Sequence, residues 1–331
     1  MFKGRKIIAL CLTRLSNDET TAKVAELNKA LVAKDYRLFV YNACTDFYRN
    51  NRFENAEKKV YSLIDYNIVD AVVIFSEAFR DTSIVDELRM GAEAHNVPVF
   101  ILGNRSEKCT SFIFDYEAGF EQAVRHIIEY HGITDTAMIA GFKGEEHSEQ
   151  RIAVYKKVLA ENGLPFNDNM LSYGDYWSGP AQKAVEDMIA KGHVPKAIIC
   201  ANDMMAITAC AVLNRHGYKV PDDVAVVGFD GTEEAKQCIP PITTCRCSYS
   251  DTAKAIADAL EKVFAGGKVL HDNYVDFVLD VYNSCGCDPD RPPYNVGNTL
   301  KTVRERFCKY QGDNALLCEL AQEIVTGDSA D

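Results

Sequence analysis

The feature that most constrains this chain is an alternation of short strand-like apolar runs with longer amphipathic stretches, and it occurs twice. In the first half, residues 6–12, 37–41, 70–75 and 97–102 read as strands, with 111–114 as a further short one. Between them, 20–34, 55–66 and 84–95 carry apolar residues at helical spacing. Val24, Leu27, Leu31 and Val32 mark one face of the first helix. A strand apolar on both sides has no face to give to water, so it belongs inside a mostly parallel sheet covered by helices. The pattern then restarts, with strands at 136–140, 170–173, 197–200 and 224–229 and helices at 148–162, 180–191 and 203–216. Gly132, Gly163, Gly192 and Gly217 follow helix ends, where the left-handed backbone of a C-terminal cap suits glycine.

Two such sets within 331 residues predict an α/β protein of two Rossmann-like lobes with parallel central sheets. Sheets of this kind bind ligands at the carboxyl edges of their strands, so the cleft between the lobes is the expected site.

Charge and motifs narrow the function. Acidic residues outnumber basic ones 48 to 36, a formal net charge of -12. A surface of that sign repels phosphate, and Lys156-Lys157 and Arg304 to Arg306 sit among acidic and apolar residues, so no direct nucleic-acid contact is expected. The opening MFKGRKIIALCL meets Thr13, Arg14 and Ser16 before reaching the roughly 7–15 apolar residues of a secretory core, and is read as a buried strand. No window approaches the roughly 20 apolar residues of a membrane span, so a cytoplasmic protein is expected. The twelve cysteines are scattered, several within apolar runs (Cys11, Cys200, Cys210), as reduced packing residues would be. CRC at 245–247 and CGC at 285–287 lack the CxxC spacing of a redox helix or zinc knuckle, and the seven histidines form no HExxH or close sequence cluster. Packing cysteines, no metal and no cofactor are expected. GxGxxG, GxxxxGK[ST] and GxSxG are all missing, and binding rather than catalysis is the reading.

A long block then becomes specific. AIICANDMMAITACAVLNRHGYKVPDDVAVVGFDG, followed by PPITTCRCSYSDTAKAIADAL, closely resembles the ligand-binding core of the LacI/GalR regulators, relatives of the periplasmic sugar-binding proteins. The shared order is an Asn-Asp pair, a helix, Gly-x-x-Val-Pro-x-Asp, a strand ending Gly-Phe-Asp, and Pro-x-x-Thr-Thr. IIALCLTRLSND, VPVFILGNR, HSEQRIAVYKKVLAENGL and the Asp115-x-x-x-Gly119 step extend the resemblance over about residues 5–284. It implies a type I periplasmic-binding-protein-like fold with three crossings, near 132–136, 240–245 and 270–276. The lobes would be 1–133 plus 244–272 and 134–241 plus 274–284. It also implies hinge closure as the signal and a homodimer paired through the first lobes. A solute-binding protein of a sugar transporter and a sugar-acting enzyme of the same class are the rival functions.

The candidate ligand residues follow. Asp230 ends AVVGFD at the carboxyl edge of a central strand, where a carboxylate accepts hydroxyl hydrogen bonds; turn capping is its alternative. Asn202, directly after AIICA, offers both donor and acceptor, while Asp203 is expected to cap the next helix. Arg151 follows the 141–146 loop, which also contains Phe142, and its rigid fork suits vicinal hydroxyls or a carboxylate. A surface ion pair with Glu145 or Glu149 is the rival there. Asp115 matches a family contact position, with an N-cap role as rival. Trp177, the single tryptophan, lies in YGDYWSGP and offers an aromatic face to a sugar, with Tyr173 and Tyr176 as competitors. From the first lobe, Asn17 and Asp18 follow the first strand and Glu77 the third. NDETT stands where the family often has an aromatic pair. With Glu77 and Asp115 it makes an acidic floor, favouring a cationic, amino-bearing or strongly hydroxylated ligand over an anionic one.

Family regulators carry a helix-turn-helix before the first strand; only residues 1–5 precede that strand in this sequence, so no DNA reader of that kind is expected here. After CGC comes DPDRPPYNVGN, a linker by composition. Leu300, Val303, Phe307 and Tyr310, then Leu317, Ala321 and Ile324, share one stripe, predicting short helices packed on the sensor or a partner. In similar proteins such a linker leads to an output module, an AraC-type DNA-binding domain or a diguanylate cyclase.

Overall fold

The computed structural model describes residues 4–45, 47 and 51–288, with the backbone alone for Asp18. The linker and helical stripe expected over 289–331 lie outside the described residues.

In chain order the elements are β1 (Ile7–Thr13), α1 (Asp18–Ala33), β2 (Arg37–Ala43), α2 (Arg52–Glu57), β3 (Ala71–Phe75), α3 (Thr82–Glu93), β4 (Val99–Gly103) and β5 (Thr110–Phe114). There follow α4 (Tyr116–Arg125), β6 (Thr136–Ala140), α5 (Glu146–Glu161), β7 (Leu171–Tyr173), α6 (Ser178–Ala190) and β8 (Ala197–Cys200). Then come α7 (Asp203–Arg215), β9 (Ala225–Phe229), α8 (Glu233–Gln237), β10 (Thr243–Cys247), α9 (Tyr249–Phe264), β11 (Asp272–Val275) and β12 (Phe277–Asp280). The strands form two six-stranded sheets, ordered β11-β5-β4-β3-β1-β2 and β12-β10-β9-β8-β6-β7. Every pairing is parallel except β10 with β12. The central strands β1, β3, β8 and β9 are buried at every position, which is why their sequences do not alternate. The expected α/β architecture of two parallel-dominated lobes is present.

The crossings fall elsewhere than expected. β5 ends in the first sheet at Phe114, but α4 packs on α5, β9, β10 and β12 of the second lobe. β10 belongs to the second sheet, and α9 returns to pack on α1. β11 and β12 lie in different sheets. The chain therefore crosses at Asp115, Ser248 and Asp276, not near 132–136 or 240–245; only the third lies within its expected 270–276. The lobes are 7–114 plus 249–275 and 116–247 plus 277–288. The reason is packing. Phe120, Ala123, Val124 and Ile127 are fully buried, and Gly119 passes under Phe277 so closely that a Cβ there would sit 2.6 Å from the ring. An amphipathic helix shows in sequence that it has an apolar face, not which sheet receives it. Likewise 274–282 reads as one alternating run, yet Val275 and Phe277 are buried under separate sheets.

The helix expected over 55–66 is α2 followed by a 3-10 segment, Lys58–Leu63. Tyr61 anchors this tightened segment, donating from its buried hydroxyl to the Leu12 carbonyl at 2.7 Å.

Candidate functional site

The second lobe builds its side of the cleft around Arg151. Glu145 caps α5 by accepting from the His147 and Ser148 amides, and Arg151 follows on the inward face. The side chain is 7 % exposed. Its guanidinium carbon lies 4.6 Å from the Phe229 ring centre, 5.7 Å from Tyr176 and 5.9 Å from Tyr116. Nη1 donates to the Tyr176 hydroxyl at 3.3 Å, and that hydroxyl donates to Glu145 Oε2 at 3.1 Å. Among the described residues, Arg151 Nε and Ser148 Oγ are buried with no hydrogen-bond partner. An unpaired buried polar group costs about 1–3 kcal/mol, and these two lie one turn apart on the same helix.

Asp230 follows Phe229 with φ of 119°, a backbone region that favours glycine, so the carboxylate is presented at some local cost. Its side chain is exposed to solvent, although charged groups of both lobes surround it. Burial pushes its carboxyl up to about 8; Arg151 opposes the rise, Asp203 and Glu19 add to it, and Lys23 opposes it. Glu19 and Lys23 stand on α1 of the other lobe, so the field at Asp230 spans the gap.

Glu77 faces the same space from the first lobe. Its carboxylate oxygens accept from the Tyr116 hydroxyl at 3.0 and 3.2 Å, a direct bond between lobes. Burial raises its carboxyl, while Lys23, Tyr116 and His147 oppose the shift. His147 sets its ring edgewise to Tyr116 at 5.3 Å, and Lys23 pairs with Glu19 at 2.7 Å. Glu19, Lys23 and Glu77 of one lobe thus meet Tyr116, His147, Arg151 and Asp230 of the other.

The remaining candidates are placed as follows. Asn202, not Asp203, caps α7: its Oδ1 accepts from the Met205 amide at 3.0 Å, and its Nδ2 donates to the Tyr176 carbonyl at 3.3 Å. Asp203 is fully buried and accepts from Thr244 Oγ1 at 2.6 Å and the Thr232 amide at 2.7 Å, which explains why the expected cap role passes to its neighbour. Asp115 sits on the first crossing and caps α4 through the Ala118 amide. Asn17 caps α1 through the Glu19 and Thr20 amides. With Glu77, Asn17 lines an open recess of about 180 Å³ on the first lobe, shared with Thr13, Arg14, Thr20 and Arg80. Phe142, 45 % exposed, meets Tyr176 edgewise at 5.9 Å. Tyr173 ends β7 near Lys143, and Trp177, 64 % exposed, precedes α6 without capping it. The structure joins Arg151, Asp230 and Glu77 to one cleft and ties Asn202 and Phe142 to it through Tyr176.

The sequence does not single out Tyr116, His147 or Lys23, and includes Glu19 only within the acidic NDETT run. Glu19 and Lys23 lie at i and i+4 on a helix starting from a strand's carboxyl edge, a weak signal that exposed ion pairs share. In the sequence Tyr176 reads only as a rival to Trp177. Gly141 explains its position: a Cβ there would fall 2.0 Å from the Tyr176 ring.

Cys285 and Cys287 depart from the packing role expected of them. They meet His126 and His131, with the four ligand atoms all within 4.8 Å of one another. Cys245 and Cys247 are buried elsewhere, so the two one-residue-spaced pairs do not face each other in one cluster.

Two lobes, three crossings and a polar cleft between carboxyl edges define the type I periplasmic-binding-protein-like class. Residues 124–275 match the periplasmic binding protein-like domain, and the chain has LacI/GalR-family homologues, to whose ligand-binding core it corresponds. The HTH-type transcriptional repressor PurR of Vibrio campbellii is 31% identical over 166 residues, 49% of each chain. The structure of the Escherichia coli transcriptional repressor ascG aligns with a TM-score of 0.68 at 21% identity, covering 84% of this chain and 98% of that one. A lac repressor dimer bound to operator and an anti-inducer aligns with a TM-score of 0.65 at 23% identity, covering 85% and 94%. The chain spans about half the length of the first curated relatives it matches. Those relatives are named as repressors, not enzymes, and no described helix is long and apolar enough to cross a membrane.

Proposed function

We propose that this chain is the ligand-sensing core of a cytoplasmic transcriptional or signalling regulator. It binds a small polar ligand, sugar-like or amino-bearing, between its lobes and transmits hinge closure. The observation that carries this reading is the Arg151–Asp230 pair, whose buried Nε lacks a partner and whose carboxylate faces Glu19 and Lys23 across the gap. A guest hydroxyl can accept from the guanidinium and donate to a carboxylate, and Glu77 supplies a second acceptor from the other lobe. Three acidic groups around one arginine and one lysine favour hydroxyl or ammonium donors over an anionic guest. Crossings one residue wide, at Asp115, Ser248 and Asp276, suit rotation of packed lobes as bodies.

Homodimer formation through the first lobes and an output module in a longer protein belong to the same proposal; the dimeric lac repressor neighbour supports the first, and the transcriptional repressors among the relatives support a regulatory output without placing it along the chain. The test is mass spectrometry of small molecules released from the native protein, then calorimetry and thermal shift with a panel of sugars, polyols and amino compounds. A true ligand at a hundred times its Kd stabilises the fold by about 2.7 kcal/mol. Neither a co-purifying molecule nor a stabilising compound from that panel would overturn the reading.

A further inference from the structure

Away from the cleft, the end of the second lobe holds a cluster that the sensing reading does not use. α4 runs into a π-helical turn, His126–Tyr130, closed by the His131 amide donating to the His126 carbonyl at 3.0 Å. Residues five apart lie on well-separated faces of a regular α-helix, but a π-turn brings them over one another, and such turns recur at functional sites. Here it sets two imidazoles edge to face, with His126 Nε2 and His131 Nε2 3.2 Å apart. The CGC segment supplies two thiols to the same point. Cys285 Sγ lies 3.3 Å from His126 Nε2, and Cys287 Sγ lies 3.5 Å from His126 Nε2 and 3.4 Å from His131 Nε2. Gly286 between them has φ of 95°, the left-handed turn that lets both sulfurs point inward.

We propose that His126, His131, Cys285 and Cys287 bind one zinc ion as a tetrahedral Cys₂His₂ site. Zinc bonds of about 2.05 Å to nitrogen and 2.3 Å to sulfur give tetrahedral edges of about 3.3 Å between nitrogens and about 3.5 Å between nitrogen and sulfur. Four of the six separations, 3.2, 3.3, 3.4 and 3.5 Å, are close to those edges, and all six are within 4.8 Å. Outside the cluster, Thr243 Oγ1 donates to Cys285 Sγ at 3.0 Å, a hydrogen bond that a metal-bound thiolate would accept. His126, Cys285 and Cys287 are buried and His131 half-buried, so the site has four protein ligands and no open position. Its role is structural. It clamps residues 285–287, at the end of the described part of the second lobe, to the π-turn that continues α4, the helix that starts at the first crossing and places Tyr116 in the cleft. The CGC spacing escapes zinc-knuckle motifs because each ligand pair is local but the pairs lie far apart in sequence.

The test uses the tag-free full chain, purified without chelator. Elemental analysis by mass spectrometry is expected to give one zinc per chain. Reduced, metal-free protein titrated with cobalt(II) alone is expected to show the intense visible bands of a tetrahedral ion and thiolate-to-metal charge transfer, both erased by zinc. Cys285→Ser and Cys287→Ser are each expected to lower metal content at least tenfold, whereas Cys245→Ser retains it. Should a cysteine variant fail to fold, His131→Ala, at the half-buried ligand, is expected to alter the cobalt spectrum. Trace metal in the wild-type protein together with no charge-transfer band on cobalt addition overturns the proposal, as does a Cys285–Cys287 pair found oxidised in the native chain.

Discussion

The Arg151 guanidinium rests 4.6 Å above the ring of Phe229, and the residue after that ring is Asp230. One strand end therefore gives the cation its apolar seat and places a carboxylate within its electrostatic reach. A cation over an aromatic face gains about 2 kcal/mol when desolvated, but the unpaired Nε offsets much of that gain. Little net stability remains for so specific an arrangement, which is what a site built for a guest looks like.

Arg151→Met separates the two roles. A thioether of similar length fills the space without carrying charge, and replacing buried ionic groups by apolar ones of similar volume is often neutral or stabilising. The expected outcome is an unchanged or raised urea midpoint with ligand affinity reduced about 100-fold, from two lost charged hydrogen bonds of about 1.5 kcal/mol or more each. A strongly destabilised variant that still binds normally would show that Arg151 serves the fold alone.

Asp230 gives a dependence on pH. Its folded carboxyl is raised to about 8, above the roughly 3.9 of an unfolded aspartate. Between those values the unfolded chain has released a proton that the folded one retains, so its stability contribution, complete below about 4, is lost as pH rises through 8. Asp230→Asn is expected to flatten that decline and raise the melting temperature of the ligand-free protein near pH 8. The same variant is expected to lose ligand-induced stabilisation, because the amide replaces one acceptor oxygen by an NH2 donor. Melting curves from pH 5 to 9, with and without ligand, check both; a variant that binds as well as wild type removes Asp230 from the site.

Tyr116 bonds the lobes together through Glu77. A net hydrogen bond of about 1 kcal/mol corresponds to roughly a fivefold change in the ratio of closed to open forms. Tyr116→Phe keeps the ring contacts with Phe277 and His147 and removes only the hydroxyl. Small-angle scattering of the ligand-free protein is expected to show a larger radius of gyration for the variant, with the two proteins converging once ligand is saturating. Identical ligand-free curves would mean the bond does not hold the lobes.

The sheets were legible in the sequence because burial on both faces leaves uninterrupted apolar runs such as AVVIF and AVVGF. The places of Asp230 and Arg151 in the fold were legible too, one at the end of such a run and the other early in the helix that follows a loop. What the sequence concealed was pairing at a distance. α4 has an apolar face suited to either lobe, and only Gly119 under Phe277 shows which one takes it. The exchange of roles between Asn202 and Asp203 depends on Thr244, some forty positions away, and the His–Cys cluster depends on a π-turn that no residue pattern announces.

That buried link from Asp203 to Thr244 is also where a single methyl group does most damage. Gly228 lies in β9 directly under the carboxylate, and a Cβ there would come 2.3 Å from Asp203 Oδ1. Moving the carboxylate breaks its bonds from Thr244 and Thr232 and releases the turn that sets Asp230 at positive φ. Burial holds the Asp203 carboxyl up to about 6 despite those hydrogen bonds, so once displaced it becomes a poorly solvated acid at neutral pH. Gly228→Ala is expected to cost about 3 kcal/mol in urea denaturation, within the range for breaking a buried charged network, and to weaken ligand binding along with it. Thr244→Val, which removes one donor, is expected to cost about 1–2 kcal/mol. In Gly228→Ala/Asp203→Ala the added methyl enters the space the carboxylate leaves, so the double variant is expected to be at least about 1 kcal/mol more stable than the sum of the single losses implies. Strict additivity would place the strain of Gly228→Ala somewhere other than this contact.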